Sequence, residues 1–334
     1  MIIRRLTGLA AVAVLMATAL ATPASAATTD LGASLGYGSR SGDLAAGGGK
    51  VFVSAEDRIV VTNAQGDLTG AITGLSGVYG LAANPAGTTL YAALAGSDQV
   101  AEIDTATLAI KRRIDLPQHP CPTSLALTGD RLWVGYGCFD AFEGGFLALD
   151  LTATTPVPVA VGLGLHSAPK VVAAGDTLVA GEVTGVPADL IVYDISGPAP
   201  TSRGKIDGVT HDQSEVRDLA LTSDGTRVIS AFDTPYRFDV WDTTTLSRVG
   251  HYGQRHEAYP TGLAISPDDA RVAGGRDWNT DVTVYDATTG ATLFAADNPA
   301  GRFVTGGLAF ADTTLYALLR DTGDHLHLWR IPLP

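Results

Sequence analysis

Residues 80–108, GLAANPAGTTLYAALAGSDQVAEIDTATL, contain the unit that the whole chain repeats. An apolar Leu-Ala segment leads into a polar turn, then an apolar strand, a variable loop, and an alternating strand that ends at Asp104. The same order returns at Ser124 (SLALTGDRLWVGY), Asp218 (DLALTSDGTRVISAF), Gly262 (GLAISPDDARVAGG) and Gly307 (GLAFADTTLYALL). Looser copies begin at Asp43 (DLAAGGGKVFVSA) and Val171 (VVAAGDTLVAGE). Alternating short strands punctuated by Gly, Asp and Thr form sheets, and a fixed repeat of this length defines a radial array of them.

The period fixes the unit. The third strands end at Asn63, Asp104, Asp150, Asp194, Asp242, Asp286 and Arg330, in steps of 41, 46, 44, 48, 44 and 44 residues. That is the length of one four-stranded propeller blade. A short carboxylate at the strand end accepts backbone N–H bonds from two residues on, so these aspartates read as turn formers rather than catalysts. Ala45, Ala82, Ala126, Ala173, Ala220, Ala264 and Ala309 hold one equivalent place in every first strand. A small side chain is required where seven strands crowd around an axis. The sequence therefore predicts an all-β, seven-bladed propeller of four-stranded antiparallel blades with almost no helix. The seventh repeat supplies three strands, and an extended segment near residues 30–37 is predicted to close the ring as its fourth.

Residues 1–26 have a different character. Arg4 and Arg5 precede an apolar run over 6–20, and Ala24-Ser25-Ala26 follows. This pattern predicts a signal peptide cleaved after Ala26, leaving residues 27–334 as the propeller domain and placing it outside the cell or at the cell wall. Cys121 and Cys138 are the only cysteines. A two-residue Gly129-Asp130 turn pairs Thr128 with Arg131 and Leu125 with Val134, which brings Cys121 opposite Cys138 within disulfide reach. The net charge of −13 argues against a nucleic-acid partner, and no later stretch is apolar enough to embed in a membrane.

Reaction motifs are missing from the sequence: there is no Gly-x-Ser-x-Gly elbow, no phosphate loop at Gly48-Gly49-Lys50-Val51, and no haem-attachment Cys pair. No catalytic residue, resident metal or cofactor is assigned. The loops that join one blade to the next are the best candidates for binding. They carry His119, His166, His211 and His256, with Asp212, Glu215, Glu257, Tyr79, Tyr259 and Arg302 in equivalent positions. Convergence of such groups at a channel mouth would create a polar pocket. His325-Leu326-His327 is a second candidate, since a period of two sets both imidazoles on one strand face; burial between blades is the competing reading.

The repeats resemble the YncE-like, YVTN-type β-propeller family, and VWDTTTL at 240–246 is similar to a WD unit. The segment CPTSLALTGDRLWVGYGC (121–138) resembles propellers of secreted actinobacterial surface proteins. The resemblance implies extracellular binding or scaffolding by a monomer, with a protein, peptide or cell-wall glycan as partner. A lactonase-like hydrolase or lyase built from the loop histidines is the alternative function, and a redox-cofactor propeller a more distant one.

Overall fold

The computed structural model describes residues 27–36, 41–139, 142–254, 259–277 and 281–333. The proposed signal peptide, and His256 and Glu257 among the candidate loop residues, lie outside the described residues. Seven four-stranded antiparallel sheets follow one another around a central axis. In blade 1 the strands are Leu44–Gly47, Lys50–Ser54, Ile59–Asn63 and Leu68–Ile72, and the later blades repeat this order from the axis outward.

Period-two alternation builds the ring. Phe52 packs between blades 1 and 2, whereas its neighbours Val51 and Val53 pack between blades 7 and 1. Likewise Leu178 and Ala180 face blade 3 while Val179 faces blade 5. Successive side chains of a strand point to opposite sheet faces, so each blade contributes to two interfaces. Seven apolar clusters result, one at each junction of neighbouring blades, in place of one central core.

Closure uses the N-terminal strand Ala27–Ser34, which pairs antiparallel with His325–Pro332 as the outermost strand of blade 7. It begins three residues before the predicted segment and ends at Ser34. Leu31 anchors it, at 4% exposure, in the cluster shared by blades 7 and 1. The Tyr316 hydroxyl and Arg330 Nε both donate to the Ala64 carbonyl, at 2.6 and 3.0 Å, and tie blade 7 to blade 1.

The repeated signals have the expected local roles. Asp104, Asp150, Asp194, Asp242 and Asp286 each accept a backbone N–H from two residues on. Hydrogen bonds from that turn hold each of these carboxyls below the usual range; the Ser196 hydroxyl and N–H bring Asp194 to about 2. The seven alanines sit on the seven first strands. The single helical turn Gly208–His211, capped by Asp207, is the only α-helix among the described residues.

Candidate functional site

The loops between blades and those between second and third strands open on one face of the ring. There they surround a cavity of about 580 Å³ at the channel mouth, with walls from blades 1 to 5 and 7. Ala82, Ala126 and Ala173, on the first strands of blades 2, 3 and 4, line a separate recess.

The cavity floor is polar because of one repeat position. Two residues before the ring alanine, blades 1, 3 and 5 carry Asp43, Ser124 and Asp218, where blades 2, 6 and 7 carry Gly80, Gly262 and Gly307. Each of the three polar side chains reaches the first strand of the next blade. Asp43 Oδ2 accepts from Leu81 N at 2.9 Å, Ser124 Oγ from Val171 N at 3.0 Å, and Asp218 Oδ2 from Leu263 N at 2.8 Å. The other oxygens of Asp43 and Asp218 accept from Leu44 N and Leu219 N. These bonds satisfy buried backbone donors and lock neighbouring first strands in register.

Lys170 opens the first strand of blade 4 (Lys170–Ala174) and extends over the axis. Its Nζ lies 3.0 Å from Asp218 Oδ1 on blade 5. A Cβ placed on Gly306, at the register irregularity within the blade 7 inner strand Arg302–Ala311, would lie 3.4 Å from the same nitrogen, so Gly306 leaves space for it. Burial opposes the charge of Lys170, but Asp218 and Asp43 outweigh it and hold the ammonium above the usual lysine range. Burial pushes the Asp43 carboxyl up to about 6, with Lys170 acting in the opposite direction and Asp218 reinforcing the rise.

The rim is apolar and hydroxyl-rich. Phe139 stands 75% exposed beside Cys138, whose disulfide to Cys121 spans a Cα separation of 5.1 Å. The predicted Thr128–Arg131 and Leu125–Val134 pairs are both present, and that register places the cysteines together. Thr184 Oγ1 lies 3.0 Å from Ser167 Oγ and 3.2 Å from His166 Nδ1. Arg217 bridges Glu215 and Asp233 at 3.0 and 3.3 Å.

The loop residues singled out in the sequence are dispersed. Tyr79 and Glu215 line the cavity. His119 packs edge-on against Tyr136 at 4.7 Å, His166 against Phe142 at 3.9 Å, and His211 against Trp241 at 4.8 Å. His211 and Asp212 border a separate pocket of about 260 Å³ with Arg237 and Arg248. Tyr259 packs on Tyr236, and exposed Arg302 lies 3.9 Å from Asp277. His325 Nδ1 and His327 Nε2 both approach Asp321 Oδ2, at 3.3 and 3.2 Å. Among the described residues, no group of three His, Cys, Asp or Glu side chains is placed to hold a metal ion. Lys170, Asp43, Asp218 and Phe139 were not identified from the sequence. The polar residue two places before the ring alanine was the available signal for the two aspartates.

The fold defines a class, the seven-bladed β-propellers, and solved structures share it. A chain of the Mitotic Checkpoint Complex superimposes with a TM-score of 0.73 at 15% identity, over 98% of this chain and 99% of that one. The β-propeller domain of Myceliophteria thermophila Cps50 (Swd1) gives 0.66 at 14% identity, over 87% and 96%. A chain of Kuenenia stuttgartiensis hydrazine synthase gives 0.67 at 16%, over 89% and 96%. At such identities the likeness is one of fold. No family model and no curated protein matches the chain.

Proposed function

We propose that this chain is a secreted, YncE-like propeller that binds a protein, peptide or cell-wall glycan through its channel mouth without catalysing a reaction. The observation that carries this reading is the cavity of about 580 Å³ rimmed by the exposed Phe139 on a disulfide-held loop. A large aromatic side chain held in water by a covalently fixed loop is suited to anchoring a partner, because its burial on binding costs little ordering entropy. The disulfide and the apolar run before Ala26 support an oxidising, extracellular setting. A hydrolase or lyase would need convergent acid–base groups, and the three described loop histidines pack against three different aromatic rings.

The test is binding of the purified protein to peptide arrays and to solubilised cell-wall glycans, repeated with Phe139→Ser. Loss of the captured ligands in the variant supports the mouth as the site. Unchanged binding, or turnover in a lactone and polysaccharide-lyase substrate panel, contradicts the proposal.

A further inference from the structure

The ligand chemistry of the mouth follows from a charge count over its deepest groups, and the inference rests on the binding reading above. Asp43 and Lys170 line the cavity, and Asp218 is the ion-pair partner of Lys170. The single ammonium is committed to Asp218 at 3.0 Å. Among the described residues no cation lies within ion-pair distance of Asp43, whose partners are the backbone N–H groups of Leu44 and Leu81, one on each oxygen. The other cationic wall residue, Arg217, is shared between Glu215 and Asp233 and has no charge to spare. Asp43, Asp218, Glu215 and Asp233 thus set four carboxylates against the two cations Lys170 and Arg217, and Asp43 is the one of the four without a cation in ion-pair contact among the described residues. Burial is the largest cause of its upward shift, and the charge of Lys170 offsets only part of it.

We infer that the mouth takes a basic side chain of a partner polypeptide, a lysine ammonium or an arginine guanidinium, seated on the free lone pairs of Asp43. The resulting row, Asp218, Lys170, Asp43 and ligand, alternates in sign, so each charge is flanked only by opposite ones. Tyr79 and Phe139 stand in the same walls and supply apolar and π-face contact for the methylene stem and its charged head. The overall charge of −13 attracts a basic partner before contact. A glycan without a cation would leave Asp43 desolvated and unpaired, which is why a basic polypeptide is preferred here.

The experiment is a titration of amide resonances with four capped pentapeptides, acetyl-Gly-Gly-Xaa-Gly-Gly-amide, in which Xaa is lysine, arginine, norleucine or glutamate. The lysine and arginine peptides are expected to bind at least about tenfold more tightly than the norleucine peptide, which corresponds to about 1.4 kcal/mol. They should shift the amides of Leu44, Leu81 and Phe139. Asp43→Asn keeps an acceptor for Leu81 N–H but removes the charge, and should reduce the preference to less than about twofold while norleucine binding stays the same. Equal binding of lysine and norleucine peptides, or a preference that survives Asp43→Asn, overturns the inference. If norleucine or glutamate peptides bind best and Phe139→Ser releases them, the mouth is a binding site and the basic-ligand inference alone fails. If no peptide of any charge moves the mouth resonances, the inference and the site fall together.

Discussion

Removing Asp218 should cost more than removing an exposed carboxylate, and the reason is countable. Its side chain is 3% exposed and serves three partners: Leu219 N at 2.9 Å, Leu263 N at 2.8 Å and Lys170 Nζ at 3.0 Å. Asp218→Ala leaves two buried N–H donors without an acceptor and an ammonium without its nearest counter-ion. Breaking a buried pair from one side costs about 3–5 kcal/mol, and Asp43 on the far side of Lys170 recovers part of it, so about 4 kcal/mol is expected. Lys170→Met removes the charge and keeps the stem, leaving Asp218 with both backbone donors, and should cost only about 1–2 kcal/mol. In Asp218→Ala/Lys170→Met no ammonium is stranded. The double variant should therefore be more stable than the sum of the singles implies, by about 2 kcal/mol. Urea unfolding at pH 7, followed by tryptophan fluorescence, measures all four forms. Additivity within about 0.5 kcal/mol would show that the two groups do not act as one unit, and would refute the reasoning.

Other outcomes follow from the same contacts. Reduction of Cys121–Cys138, or Ala at both positions, should cost about 3 kcal/mol, the entropy of opening a loop whose ends are 17 residues apart; an unchanged urea midpoint contradicts it. Deleting residues 27–34 exposes the edge of His325–Pro332 and uncovers the pocket of Leu31, so light scattering should show self-association and the melting temperature should fall. Stability should also respond to pH through Asp43. Its folded pKa of about 6 lies above the ordinary value of 3.8, so the folded state holds the proton more tightly and this group's contribution falls as pH rises from about 4 to 6. The difference in stability between wild type and Asp43→Asn should shrink by at most about 3 kcal/mol over that interval, and a constant difference would be against it. Asp194, Asp207 and Asp321, each lowered to about 2 by hydrogen bonds, act in the opposite sense: their stabilisation is present above about pH 4 and lost toward pH 2.

Features that depend on neighbours in the chain were legible in the sequence. The strand-end aspartates bind their own turns two residues on, the ring alanines recur at a fixed place in each repeat, and a two-residue hairpin turn sets the register that joins Cys121 to Cys138. Ring closure could be read as well, because the seventh repeat supplied three strands and the strand before the first repeat had no partner. The floor of the site could not. Lys170 and Asp218 are 48 residues apart, on adjacent blades, and only the rotation between blades brings them together. Nor does loop position determine side-chain direction: equivalent loops turn His119, His166 and His211 onto three different aromatic rings. Period two in His325-Leu326-His327 put both imidazoles on one face, and the structure adds the Asp321 carboxylate that both of them approach.

The central functional claim is that architecture occupies most polar groups elsewhere and leaves the channel mouth as the recognition surface. A ligand-independent fragment screen by amide chemical-shift mapping tests this most directly. Fragment hits are expected to converge on Tyr79, Phe139, Thr184 and Arg217 around the cavity of about 580 Å³. Hits that instead gather on the outer strands or on the opposite face of the ring, with the mouth silent, would contradict it.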